Sequence, residues 1–395
     1  MARAAAPPRS GCFPVALNFA RLGVARGFAA AGILATALRL FPGCTRADRS
    51  AVANRPEQES NSGPRVSSST TRETGELSPF TSRVQCETLL RAGKRAPRKQ
   101  GTVRIGTWNI RWFPDGVPDN TSSYLSTDLS WLACAIAWLD VDALALAEIK
   151  PASRSRPALD QVIAQLDATT GGSYEVHLDD CPESSGQHLG WLVDTSRLTA
   201  RGYVTHGALN PYGAACAHRL RPGFGVGLRS ARGLDFYAIA LHLKSGVLGS
   251  DLALRRRSLL ALDRLLREIV EDTKDTDVII LGDFNSAGCQ SCEGMAGSAA
   301  EASWMDGRLK AFFYPARRVP TNLGCSYYYR GQPALLDHFV VTQAMDELPI
   351  GEHASVEGYC RDARCEAIDS EPGLANRHLS DHCPMVLSLV DRDLD

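Results

Sequence analysis

Five apolar runs in this sequence lead into a residue capable of chemistry: Asn109, Glu148, His242, Asp283 and Asp337. A rigid strand that delivers a polar residue at its end is how α/β enzymes position reacting groups. A carboxylate such as Glu148 suits a hard divalent cation, which takes oxygen ligands and keeps several waters. Asn109 and Asp381 are its candidate companions, directly or through water. Asp381 is followed by His382, and an imidazole among acids suits a general base, with Asp337 to hold its tautomer and stabilise its cation. Asp283 and Asn285 lie two apart, so in an extended stretch both point to one side. There an acid and an amide can hold water and an anionic oxygen. His338, directly after Asp337, should face the opposite way and stay out of the site. Such groups together suit hydrolysis of an anionic ester, which needs charge neutralisation, an activated water and help for the leaving oxygen.

The segments that must position these residues alternate between strand and helix spacing. Thr102–Trp108 alternates as a strand does. Ala143–Ala147, Leu189–Val193, Gly225–Arg229, Leu234–Leu241, Val278–Leu281, Ala334–Val341 and Met385–Val390 also read as strands. Leu129–Leu139, Leu159–Leu166 and Asp251–Asp272 have helical spacing. The last of these has Leu252, Leu259, Leu262, Leu266 and Ile269 as its inner face, which leaves Arg255–Arg257 on a solvated one.

The chain has 395 residues, 44% of them hydrophobic, enough for one large domain with appendages or for two domains. A formal net charge of -1 excludes a strongly basic nucleic-acid coat protein. Contact with nucleic acid would need a local basic patch or a bound cation. Residues 1–26 carry Arg3, Arg9, Arg21 and Arg26 without an acid, and 27–38 are apolar or small. This is the layout of an export signal, too short for the roughly 20 residues of a membrane span. Gly43-Cys44 resembles a lipoprotein cleavage box, so 1–44 reads as an export or lipoprotein signal, with a lipid anchor through Cys44 as one alternative. Residues 45–100, rich in Ser, Thr and Arg, read as a disordered linker, with Cys86 as a tie to the domain at 101–391. Twelve cysteines in an exported chain point to disulfides rather than zinc. The short loop between Cys360 and Cys365 could close on itself. No obligate protein partner is evident.

The strings TWN (Thr107-Trp108-Asn109), AEIK around Glu148, LHLKSG with His242, LGDFNS with Asp283 and Asn285, LLDHFVV with Asp337 and LSDHCPM with Asp381 and His382 occur together and in order. In this the chain resembles the endonuclease/exonuclease/phosphatase family over 101–391. The resemblance implies an α/β fold, a four-layer sandwich of two packed mixed β-sheets flanked by helices. It implies a metal-dependent phosphoric ester hydrolase, with Mg2+ (Mn2+ or Ca2+ as alternatives) on Glu148, Asp381 and Asn109. The catalytic set would be His382, Asp337, His242 and Asp283, the last either activating the nucleophile or binding a second metal. Asn285, Asn109 and Arg221 would contact the phosphate, with Arg219 a rival to Arg221. Lys244, two residues beyond His242, either supports the phosphate or is solvated. Gln187 falls where deoxyribonuclease-like members carry a glutamate against this histidine. An amide stabilises an imidazolium less well, so His242 would donate to phosphate rather than act as a full general acid. The Tyr327–Arg330 run either touches a sugar-phosphate backbone or packs in the core. Secreted deoxyribonucleases also imply a staple from the Cys289/Cys292 pair to Cys325.

The function expected from the resemblance is an extracellular or periplasmic nuclease that cleaves DNA with His-activated water. The alternatives are a sphingomyelinase-like lipid or small-molecule phosphodiesterase or phosphatase, and a non-catalytic binding module. The lack of a long apolar loop between Leu241 and Asp381 weighs against the lipid branch. The presence of the main acids and histidines weighs against the binding module.

Overall fold

Alternating and fully apolar runs in this chain become the strands β1 (Thr102–Phe113), β2 (Ala143–Ile149), β3 (Tyr174–Leu178), β4 (His188–Asp194), β5 (Leu198–His206), β6 (Gly223–Ser230), β7 (Asp235–His242), β8 (Val278–Asp283), β9 (Ala316–Arg318), β10 (Tyr327–Tyr329), β11 (Gln332–Ala334), β12 (Asp337–Thr342), β13 (Ser355–Val356) and β14 (Met385–Val390). The computed structural model describes residues 78–117, 125–221, 223–368 and 373–395. The segment read as an export signal, Cys44 and most of the expected linker lie outside them. Twelve strands form two six-stranded sheets, ordered β13-β14-β1-β2-β4-β3 and β5-β6-β7-β8-β12-β9. Each sheet is mixed, with one parallel pair at its centre, β1 beside β2 and β7 beside β8. The strands β10 and β11 make a separate hairpin. The single strand expected over Ala334–Val341 is therefore two, since Ala334 pairs within the hairpin and Asp337 begins pairing with β8.

Helices cover the outer faces. The first sheet carries α2 (Leu129–Leu139) and α3 (Ala152–Thr170), which follow α1 (Arg83–Arg91); the second carries α4 (Gly249–Thr273) and α5 (Ser298–Leu309). This is the α/β sandwich that the motifs implied. Between the sheets Trp191, Phe224, Leu281 and Phe339 are almost fully buried. The Trp191 Nε1–H donates to the Phe224 carbonyl, 2.9 Å away, and so joins β4 of one sheet to β6 of the other.

Two expectations change here. The linker was read as running to residue 100, yet α1 lies inside it, capped by the Ser82 hydroxyl and fixed by the Cys86–Cys134 disulfide. Phe80 is buried edge-on against Trp108 and Trp138, at 6.2 and 6.0 Å. One aromatic and one covalent tie supply what the polar composition lacks. The second change is at Arg255, expected on a solvated face but only 2% exposed. Its guanidinium meets Glu301 in two bonds of 2.7 Å and donates to the carbonyls of Lys244, Gly246 and Gly288. It joins the loops after β7 and β8 to α5.

All ten cysteines of the described residues are paired. Cys289 bonds Cys292, Cys325 bonds Cys365, Cys360 bonds Cys383, and Cys181 bonds Cys216. The expected Cys289/Cys292-to-Cys325 staple and the closed Cys360–Cys365 loop are thus both absent. The loop before β10 and the segment after His382 are tied instead to the stretch around α6 (Tyr359–Asp362), which lies between β13 and α7 (Gly373–His378).

The Cys86–Cys134 bond closes 48 residues. Replacing both with Ser should lower unfolding free energy by about 2–4 kcal/mol in urea melts, while the hydrolytic rate of the folded protein stays unchanged. An unaltered midpoint would show that α1 adds no stability.

Candidate active site

The register of the second sheet sets three functional residues in a row. His242 is the parallel partner of Asp283, and Asp283 is the antiparallel partner of Asp337. Gly282, just before Asp283, has φ +140°, and a Cβ there would overlap the Leu241 carbonyl oxygen of the neighbouring strand. Only glycine allows β7 and β8 to pair closely up to the site. In the first sheet the β1–β2 register shifts between Asn109 and Phe113, where Arg111 and Trp112 take φ of 38° and 49°. Glu148 itself has φ 63°. Non-glycine residues in this region are strained and cluster at functional sites. Here the strain turns the ends of β1 and β2 toward the other sheet.

Asp283 is the meeting point. It is 2% exposed. Its Oδ2 accepts from Asn109 Nδ2 at 3.0 Å, and lies 3.5 Å from His242 Nε2 and 3.6 Å from His382 Nε2. Its Oδ1 accepts from the Asn285 backbone N–H at 2.8 Å. That bond makes a tight turn, with Asn285 at φ 49°. The extended stretch that would have set Asp283 and Asn285 side by side does not exist. The Asn285 amide donates instead to the Leu243 carbonyl, 3.1 Å away.

Asn109 donates to Glu148 Oε1 at 3.2 Å as well as to Asp283, while its own oxygen accepts from the Arg111 N–H. It was expected to ligate a cation, directly or through water, or to contact the phosphate. In this arrangement it spaces two carboxylates and turns its oxygen to the backbone. Glu148 also accepts from the Trp112 N–H and keeps 17% of its side chain exposed. Burial, and then the charge of Asp381, hold Glu148 above the usual carboxylate range.

Asp337 and His382 form the expected pair, Oδ2 to Nδ1 at 2.8 Å. Asp337 is held in turn by Ser326, whose hydroxyl donates to Oδ2 at 2.7 Å and accepts from two backbone N–H groups. Burial opposes charge on His382, but Asp337, Asp283 and Asp381 outweigh it and push the imidazole up to about 10. Burial raises Asp283 to about 7. The surrounding carboxylates thus favour the protonated imidazole of His382 in the metal-free protein. Trp108 Nε1–H donates to the His382 carbonyl at 3.0 Å, and Ser380 Oγ–H to the Asn109 carbonyl at 2.6 Å. These bonds lock the LSDHCPM loop onto β1. His338 faces away as expected and meets the Ser286 hydroxyl at 2.8 Å.

His242 departs furthest from expectation. Arg221 Nη2 lies 3.2 Å from its Nε2. A guanidinium has no acceptor, so Nε2 must accept, and the imidazole is neutral with its proton on Nδ1. Burial and the Arg221 and His382 charges hold its pKa well below the ordinary value. His242 in this state cannot donate from Nε2 to a phosphate or leaving oxygen. Gln187 does not reach it. Its Oε1 accepts from Arg221 Nη1 at 2.7 Å. Arg221 is thus the arginine at the site, and its rival Arg219 is exposed. Lys244 turns to Asp251, 3.1 Å away, at the start of α4.

The Tyr327–Arg330 run divides. Tyr328 is fully buried, with its hydroxyl on the Glu366 carbonyl. Tyr327 lies against the His382 ring at 4.6 Å, and Tyr329 is 51% exposed with the Arg330 guanidinium 5.2 Å from its ring. Sequence reasoning missed Ser326 and Ser380, and left Tyr327 between a substrate contact and the core. Ser380 stands inside LSDHCPM and was open to notice; nothing marks Ser326.

The oxygen donors Glu148, Asp381 and Asp283 are those a hard divalent cation takes. After burial, the charge of Asp381 is what raises Glu148, and such an ion would neutralise both carboxylates, so the residues present fit one.

The family model for the Endonuclease/Exonuclease/phosphatase family matches residues 106–382. The chain belongs to that family, whose members are hydrolases of phosphoester bonds. Among solved structures, the endonuclease/exonuclease/phosphatase from Bacteroides vulgatus is 16% identical with a TM-score of 0.48, over 74% of this chain and 99% of that one. D. rerio TDP2 complexed with single strand DNA product is 17% identical at TM-score 0.47, over 73% and 99%. The mannosyl-6-phosphatase of Bacteroides thetaiotaomicron is 14% identical at TM-score 0.45, over 73% and 99%. No curated protein matches the sequence.

A direct check of the charge pattern is the NMR titration of His382 in chelated protein. The imidazole should titrate near pH 10 in the parent and well below that in Asp337→Asn. Stability from this cation is complete below 6.5, its unshifted value, and is lost as pH rises through about 10. Titration of the parent near 6.5 would show that the carboxylates do not hold the proton.

Proposed function

We propose that the chain is an exported, Mg2+-dependent phosphodiesterase that cleaves DNA. The Asp337–His382 pair facing Asp283 carries this reading. The 3.6 Å from His382 Nε2 to Asp283 Oδ2 is too long for a direct hydrogen bond and leaves an attacking water two anchors. His382 takes the water's proton at Nε2, and Asp337, fixed by Ser326, stabilises the imidazolium. Mg2+ on Glu148 and Asp381 would supply charge neutralisation, and its field would favour the neutral imidazole before attack. Arg221, oriented by Gln187 and His242, donates to a phosphate oxygen, for which a guanidinium fork is suited. His242 is a positioning residue here. Asn285, pinned to the Leu243 carbonyl, and Asn109 border the same phosphate.

Nucleic acid is favoured by the rim. Tyr327 beside His382, and Tyr329 under Arg330, offer aromatic faces to bases and a cation to the backbone. Among the described residues no helix is long and apolar enough to cross a membrane. The five disulfides support an oxidising compartment.

The test is metal-dependent activity on duplex DNA, single-stranded RNA, sphingomyelin and a generic phosphodiester. Plasmid DNA should be cut with Mg2+ and not with chelator, and His382→Ala should lose about 10²–10⁴ in rate. Intact plasmid together with cleaved choline phospholipid would replace this reading with the lipid one. Unimpaired metal binding by Glu148→Ala would overturn the site assignment.

A further inference from the structure

At the end of β8 opposite Asp283 a second set of acids converges. Asp275 and Asp277 precede β8, Glu347 follows β12, and Asp393 and Asp395 follow β14. Ligand atoms of Asp275, Asp277 and Asp395 lie within 4.8 Å of one another, and so do those of Glu347, Asp393 and Asp395. Asp395 belongs to both groups. Asp275, Asp277, Asp393 and Asp395 line a cavity of 210 Å³. Its one cation, Lys274, donates to the Glu271 carbonyl. Arg229 pairs with Asp235, which also lines the cavity, Arg232 pairs with Asp391, and Arg392 is exposed beside Asp393.

Two of these acids are buried, each with one carboxylate oxygen that no donor meets, although Glu347 Oε1 accepts from the Leu394 N–H at 2.8 Å. Asp277 is 3% exposed and Glu347 fully buried. Asp277 Oδ1 and Glu347 Oε2 are sealed from solvent with no hydrogen-bond donor, although a buried carboxylate oxygen without one is costly. Burial and the facing Glu347 carboxylate raise the Asp277 carboxyl well above the usual range. Either the two acids share a proton, or a cation belongs between them.

We infer that this pole binds a structural calcium ion through Asp277 and Glu347, completed by Asp275, Asp393 and Asp395. Calcium takes six to eight oxygens at about 2.3–2.6 Å in flexible geometry, and these carboxylates, whose ligand atoms lie within 4.8 Å of one another in each group, can supply them. Magnesium needs about 2.0–2.1 Å, near-ideal octahedral geometry and several retained waters, and fits a loose ring of carboxylates less well. The ligands come from strands of both sheets, so the ion ties β14 of the first sheet to β8 and β12 of the second. It holds the sandwich shut at the pole away from the catalytic residues.

The test uses the full chain freed of metal by chelator, with CaCl2 added at millimolar concentration. Parent, Glu148→Gln and the double variant Asp393→Asn/Asp395→Asn are compared by thermal melting and by calorimetric titration. Calcium should raise Tm by about 2–4 °C in the parent and equally in Glu148→Gln. The double variant, altered only at exposed positions, should show no shift and no calcium heat, yet keep its hydrolytic activity. A shift that survives in the double variant, or vanishes in Glu148→Gln, overturns the site, because calcium then acts elsewhere or at the catalytic acids. No shift in the parent, with Asp277→Asn alone raising Tm, overturns it in favour of the shared proton.

Discussion

A carboxylate removed from water must be balanced by what surrounds it, and in this protein that requirement falls on Asp283. It has almost no access to solvent. Its compensation comes from Asn109 on the other sheet, from the backbone turn at Asn285, and from His382 at 3.6 Å. Each partner is delivered by a different constraint. Asn109 needs the β1 bulge, the turn at Asn285 needs β8 to end at once, and His382 needs a loop locked by Trp108 and Ser380. Moving any of these would leave a buried charge unbalanced. The site is therefore also a structural joint between the two sheets, and its geometry is over-determined.

Such a joint requires rigid loops, because the reacting groups come from six separated segments. A hydrogen bond oriented in advance costs no reorganisation during reaction. The disulfides and the Arg255–Glu301 pair do this bracing. Cys360–Cys383 anchors the residue directly after His382, Cys181–Cys216 closes the segment leading to Arg221, and Arg255 gathers the carbonyls of the two loops beyond His242 and Asp283. The charge of Arg255 is matched by Glu301 in two parallel bonds, the geometry in which a buried pair recovers its desolvation cost.

Apolar runs are a strong local signal, and those leading into Glu148, His242 and Asp283 do become strands with these residues at or next to their ends, whereas β1 runs on past Asn109 and Asp337 opens β12 instead of ending a strand. What the sequence concealed was direction. Asn285 was misread because a single left-handed residue breaks the alternation without changing the composition. Gln187 was assigned by position to His242, yet its side chain reaches Arg221; alignment of a motif places a backbone, not a rotamer. Arg255 lies in an arginine run on an otherwise amphipathic helix. Nothing local shows that loop carbonyls distant in sequence close over it. The disulfide pairing failed for a similar reason, since Cys325 is forty residues from its partner Cys365 and only the tertiary fold brings them together.

The two catalytic-site histidines show how neighbours, more than burial, decide chemistry. His242 and His382 are about equally buried, at 3% and 5% exposure. Desolvation pushes both toward the neutral form. His382 is turned the other way by Asp337, Asp283 and Asp381, while His242 has Arg221 against its Nε2 and an Nδ1 with no partner. Had Gln187 been a carboxylate directed at His242, both rings would hold protons and repel each other across Asp283. With an amide directed at Arg221 instead, positive charge resides on Arg221 and His382, on opposite sides of Asp283. One side of the cavity can then exchange a proton while the other can only hold charge.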